Sequence, residues 1–178
     1  MAKLFSVGIM ASESVQSYVI SGRASAALDN GAFVVVGDYI TGTVYDATAK
    51  DQNVHTLTVP AAVTDKVAVV DFDDISQGTI SGNVYKIGVK LYDLTVPANT
   101  NTRVRVLDIG DKFYLGDGNF VSAPTAGQYA ALTASDTRLT PAATQPVSGF
   151  AVKILAVEGL TTGTRENGKR VYVEVVAL

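Results

Sequence analysis

Apolar and polar residues alternate with a period of two along most of the chain. Val171, Val173 and Val175 share one face, with Tyr172, Glu174 and Val176 on the other. Val104 and Val106 oppose Arg103 and Arg105, and Tyr85, Ile87, Val89 and Leu91 oppose Lys86, Gly88 and Lys90. Successive side chains of a strand point to opposite faces, so this is the pattern of half-buried β-strands. Further runs at Ser17–Ile20, Ala32–Tyr45, Val54–Val59, Lys66–Phe72, Lys112–Leu115 and Phe150–Val157 bring the expected number to about ten, separated by Gly, Pro, Asn and Asp. Long helical periodicity is absent, and only Ala130–Asp136 has the pattern of a helical turn or two. The fold class expected is all-β, an antiparallel sandwich or barrel.

Punctuation between the runs places the connections. Gly116-Asp117-Gly118-Asn119 predicts a tight reversal between Phe113/Leu115 and Phe120/Val121. Asn167-Gly168 predicts a two-residue hairpin turn leading into a last strand at Arg170–Val176, paired with Phe150–Leu160. Pro124–Pro146, rich in Ala, Thr, Ser and Pro, reads as a surface excursion. Residues 1–28 lack sustained alternation and read as an extended N-terminal arm, leaving 29–178 as the β-rich body. Within that body Leu57–Asp74 and Leu94–Asp111 are related without a gap, and nine of their eighteen positions are identical. Each copy has the grammar of a strand, a proline-ended connection and a second strand, so the two are expected to superpose, with Val59/Val96, Val67/Val104, Val69/Val106 and Asp71/Asp108 equivalent.

Composition narrows the function. Charged residues make up 17% of the chain against roughly 25% in an average soluble domain, beside 47% hydrophobic residues, which points to large contact surfaces. A net charge of −3 with scattered Lys and Arg gives no electrostatic footprint for nucleic acid or an anionic membrane. With no Cys, disulfides, thiolate metal sites and a cysteine nucleophile are excluded. Apolar runs are strand-sized, short of the roughly 20 residues of a membrane helix, and MAKLFSVGIMASES lacks the continuous apolar segment of a secretory signal.

Candidate chemistry is sparse. His55, the only histidine, has no evident nucleophile beside it and reads as strand-edge packing. Asp71, Asp73, Asp74, Asp108 and Asp111 could offer oxygens to a hard cation, but their spacing matches neither an EF-hand nor an aspartic protease motif, and aspartates opening turns explain them equally well. Gly163–Lys169 fits the start of a phosphate-binding loop, yet Arg170 stands where Ser or Thr is required and a strand follows in place of a helix. The eight Tyr and six Phe are spaced singly on strands, as core and interface residues are. No catalytic residue, cofactor or metal site is assigned.

The stretches LDNGAFVVVGDYITG, RVRVLDIGDKFYL, GFAVKILAVEG and RVYVEVVAL, with the Met-Ala-Lys start and low charge, resemble the head decoration, or cement, proteins of tailed bacteriophages. The resemblance implies a non-enzymatic virion protein on the outer capsid surface that locks neighbouring subunits of the major capsid protein, often as a homotrimer. Leu4, Phe5, Val7, Ile9, Val15, Tyr18 and Ile20 of the arm are the candidate capsid contacts. An arm that orders only on its partner predicts that its deletion weakens docking and leaves the melting temperature unchanged. The alternatives are a head-fibre, tail or adhesin-like carbohydrate-binding module and, more distantly, a metal-assisted hydrolase.

Overall fold

The computed structural model describes residues 3–15, 18–41, 50–62, 65–72, 77–80, 83–86, 95–162 and 165–178. The chain is all-β, and the described residues form fifteen strands, several of only two to four residues. In chain order they are β1 Phe5–Ile9, β2 Val19–Ala24, β3 Leu28–Asp29, β4 Phe33–Thr41, β5 Lys50–Thr58, β6 Val67–Asp71, β7 Gln77–Ile80, β8 Asn83–Lys86, β9 Thr95–Val96, β10 Asn101–Val106, β11 Lys112–Gly116, β12 Tyr129–Leu132, β13 Leu139–Ala142, β14 Ala151–Thr162 and β15 Arg165–Ala177. One helical turn, α1, spans Ala11–Ser14, and a 3-10 turn spans Asp117–Asn119.

These strands build two main layers. One is a six-stranded antiparallel sheet in the order β1-β11-β15-β14-β12-β13; the other is a closed barrel in the order β10-β2-β5-β4-β6. All barrel pairings are antiparallel except β2 with β5. Val34, Leu57, Ala68, Val70 and Val104 belong to the barrel core. Phe33, Val67 and Val69 belong to a second core with Phe113, Leu115, Phe150, Ile154, Val171, Val173 and Val175 of the sheet. Strand β6 therefore serves both cores, and all five of its residues are buried. Its unbroken VAVVD run, in place of alternation, is what a strand covered on both faces requires.

The described residues of 1–28 are paired into the body, not held apart from it as an arm. Strand β1 lies along β11 with Phe5 opposite Leu115, and Phe5 and Met10 are buried in the second core. Strand β2 closes the barrel between β10 and β5. Alternation was invisible in this segment because Gly22, between Ile20 and Ala24 on the apolar face, has no side chain. Gly22 is small for a reason, since a Cβ there would lie 2.5 Å from the Leu57 side chain.

The repeated segments are not equivalent. Val67 and Val69 face the sheet, while their counterparts Val104 and Val106 face the barrel interior; Val59 is exposed where Val96 is buried. A one-residue change of phase turns a strand's side chains to the opposite face, and β6, apolar on both sides, conceals that change in its sequence. Val63, Thr64, Asp73, Asp74 and Leu94 of the repeat lie outside the described residues, as do Ser17, Ile87, Val89 and Leu91.

Three local expectations are corrected as well. Asp117–Asn119 forms the 3-10 turn, and β11 pairs with β1 and β15, not with residues 120–121. Asn119 is buried: its Oδ1 accepts the N–H groups of Leu4 and Gly116, each at 3.1 Å, and its Nδ2 donates to the Asn30 carbonyl at 2.8 Å. These bonds join three segments and outweigh a hairpin. Asn167-Gly168 is no hairpin turn; it lies inside β15, opposite the register shift between Gly159 and Thr161, with Gly168 at φ 117°. Thr161 pairs with Glu166 and Thr162 with Arg165, so Asn167 and Gly168 lie within the ladder. Finally, 124–146 is not an excursion. It contains the β12–β13 hairpin, and Ala130, Leu132 and Leu139 enter the core; Ala130 to Leu132, expected to be helical, are strand.

Candidate interaction surface

Of the seven candidate contacts, Phe5 is spent on the core, its ring 5.6 Å from that of Phe113. Val7 packs against the same core and Ile20 against the barrel core. Leu4 is half-buried, with its N–H bonded to Asn119 and its carbonyl accepting Gly116 N–H at 2.9 Å. Ile9 is 71% exposed and Val15 42%, and Tyr18 is half-buried. Only these last three remain available to a partner.

Ile9 and Tyr18 flank one turn, residues 108–111. Asp111 is buried and holds that turn in place: its Oδ1 accepts Ala11 N–H at 2.7 Å and its Oδ2 accepts Asp108 N–H at 2.9 Å. The turn is tied to β15 by Gly110 N–H to Val175 C=O and Val175 N–H to Asp111 C=O, both 2.9 Å. On one side Ile9 is opposite Lys112; at the tip stands Ile109, 64% exposed. On the other side Tyr18, Leu107, Asp108 and Leu178 line a cleft of about 360 Å³, completed by Asp65, Lys66, Val67 and Val106. Leu178 is itself 51% exposed. The result is an apolar rim around a partly apolar cleft, on a backbone fixed by a buried carboxylate. Ile109 and Leu178 are not among the residues the sequence pattern singled out, although an isoleucine beside the turn glycine Gly110, where polar residues are usual, was a legible signal.

The segment carrying Val15 and Tyr18 is anchored from below. Asp71, buried at the end of β6, pairs with Arg103 at 2.8 Å and with Arg105, whose Nη1 donates to Ser12 Oγ of α1 at 3.1 Å. These bonds fasten α1 to the barrel wall. Asp71 and Asp111 are thus committed to structural partners. Asp73 and Asp74 lie outside the described residues, and among the described residues no group of three or more metal-ligating side chains converges. His55 packs on Tyr39, with ring centroids 4.2 Å apart, and its Nδ1 lies 2.8 Å from the Gly37 carbonyl. Since a carbonyl only accepts, Nδ1 carries the proton.

A different surface covers the outer face of the six-stranded sheet. Tyr114 and Tyr172 stack at 4.5 Å, and the Arg170 guanidinium lies 4.4 Å from the centre of the Tyr114 ring. Arg170 also bonds Glu158 at 2.7 Å, and Lys112 pairs with Glu174 at 3.6 Å.

No protein-family profile, curated protein or solved structure matches this chain.

Proposed function

We propose that this chain is a non-enzymatic structural protein of a bacteriophage virion, a decoration protein that binds the outer surface of the major capsid protein shell and stabilises it. The observation that carries the reading is the group of Ile9, Tyr18, Ile109 and Leu178 around a turn fixed from within. Exposed aliphatic groups clustered on a rigid backbone suit association, because their burial is favourable and little ordering cost is paid on contact. The low charge of the chain and its resemblance to phage decoration proteins support the same reading. Binding only to the assembled shell would raise the free energy needed to open it, with no bond made or broken. Co-sedimentation with undecorated particles tests this. Ile109→Asp is expected to reduce binding by about tenfold or more at unchanged stability, and equal binding by the variant would contradict it.

A second reading, a head-fibre, tail or adhesin-like carbohydrate-binding module, is favoured by the Tyr114–Tyr172 stack and its flanking Arg–Glu and Lys–Glu pairs. Aromatic faces beside planar hydrogen-bonding groups suit sugar rings. Glycan-array binding that is lost in Tyr172→Ala would select this reading over capsid decoration.

A further inference from the structure

The six-stranded sheet has two edges, β13 and β1. The first is covered: Val121 N–H donates to the Leu139 carbonyl at 2.8 Å, Phe120 bridges Leu139, and Pro141 has no N–H to offer a neighbour. Among the described residues strand β1 has no such cover, and the one irregularity along it is the register shift between Val7 and Ile9. Its sequence, FSVGI, contains neither charge nor proline, and among the described residues its only ladder is with β11. Gly116 N–H bonds the Leu4 carbonyl. Because bonded and non-bonded pairs alternate along an antiparallel ladder, Ser6 also turns its backbone groups to β11, and those of Phe5 and Val7 face outward from the sheet.

We infer that β1 pairs antiparallel with β1 of a second copy of this chain, about a twofold axis at Ser6. This register sets Phe5 of each copy opposite Val7 of the other, each pair exchanging both backbone bonds. Ser6 then faces its own counterpart in a non-hydrogen-bonded pair, where Cα atoms approach to about 4.5 Å. Such closeness suits a small side chain, and Ser6 is small, uncharged and exposed.

Charge favours a second copy over a charged partner strand. The flanking Lys3 is matched by Asp29 and Lys112 by Glu174, so the twofold contact brings no unbalanced like charges together. Edge strands of this kind are usually blocked or paired, and here pairing joins the two sheets into one. The inference goes beyond capsid binding, and it specifies a dimer where the resemblance to decoration proteins implies a trimer.

Sedimentation equilibrium of the full chain at about tens of micromolar tests it, with and without about 1 M salt, since backbone pairing is little screened. The expected result is a dimer in both. Ser6→Lys, which sets two ammonium groups face to face, is expected to weaken it by about tenfold or more with an unchanged melting temperature, whereas Ser6→Thr retains it. A monomeric or trimeric wild type, or a Ser6→Lys variant that dimerises as tightly, overturns the inference. Capsid co-sedimentation is scored separately. A monomer that still binds particles refutes only the twofold contact, and a dimer that ignores them refutes only the decoration reading.

Discussion

Asn119 and Gly22 show how single residues fix this fold. Asn119 supplies one acceptor and one donor to Leu4, Gly116 and Asn30; Gly116 N–H keeps the Leu4 carbonyl, so Asn119→Ala orphans the Leu4 N–H and the Asn30 carbonyl, at about 1–3 kcal/mol each. Chemical denaturation should show a loss of about 2–3 kcal/mol, and a loss of only a few tenths would mean that water replaces the amide. At Gly22 a branched side chain would be driven into Leu57 inside a closed barrel. Gly22→Val is expected to cost about 1–3 kcal/mol by overpacking, read from the same denaturation curves. On the β12–β13 turn, the side-chain hydrogen bonds from Arg138 hold the Asp136 carboxyl below its ordinary value of 3.8, and Arg138 is raised in turn. A depressed carboxyl contributes stability above its unfolded pKa and loses it as pH falls through the folded one. Arg138→Leu should therefore return the Asp136 titration upward, as followed by carboxyl NMR shifts. An unmoved titration would show that the pair does not form in solution.

At the scale of elements, the N-terminal strands are integral to the body. Removing residues 1–24 would leave the barrel without β2, exposing the edges of β5 and β10, and would strip Phe5 and Met10 from the second core. The truncated protein is expected to unfold or to melt far below the full chain by circular dichroism. An unchanged melting temperature would restore the arm that the sequence suggested. What could be read from the sequence followed burial on one face: β10, β11, β14 and β15 alternate, and each appears at its expected place. Elements escaped where another constraint overrode alternation. Gly22 broke the pattern of β2 because a larger side chain does not fit, and the short β12 and β13 were masked by Ala, Thr and Pro. The repeat misled because β6 is apolar on both faces, so its valines match those of β10 while pointing into a different core. The interaction surface was half legible. Ile9 and Tyr18 lie on it, while Phe5, Val7 and Ile20 are turned inward, and their burial depends on pairings between residues distant in sequence.

For the whole molecule, the barrel packs on the sheet through β6 and Phe33 of β4, and the exposed apolar groups stand on a turn bonded to both α1 and β15. Such a surface should associate with little entropic cost and little sensitivity to salt, since it offers few charges to screen. The proposed decoration role rests on contact between this surface and a phage capsid. Its most direct test is electron cryomicroscopy of particles with and without the protein. Added density is expected on the outer shell, with the end bearing Ile9, Ile109 and Leu178 against the coat subunits. Particles that look the same in both preparations, or density that presents the Tyr114–Tyr172 face to the coat instead, would contradict the account.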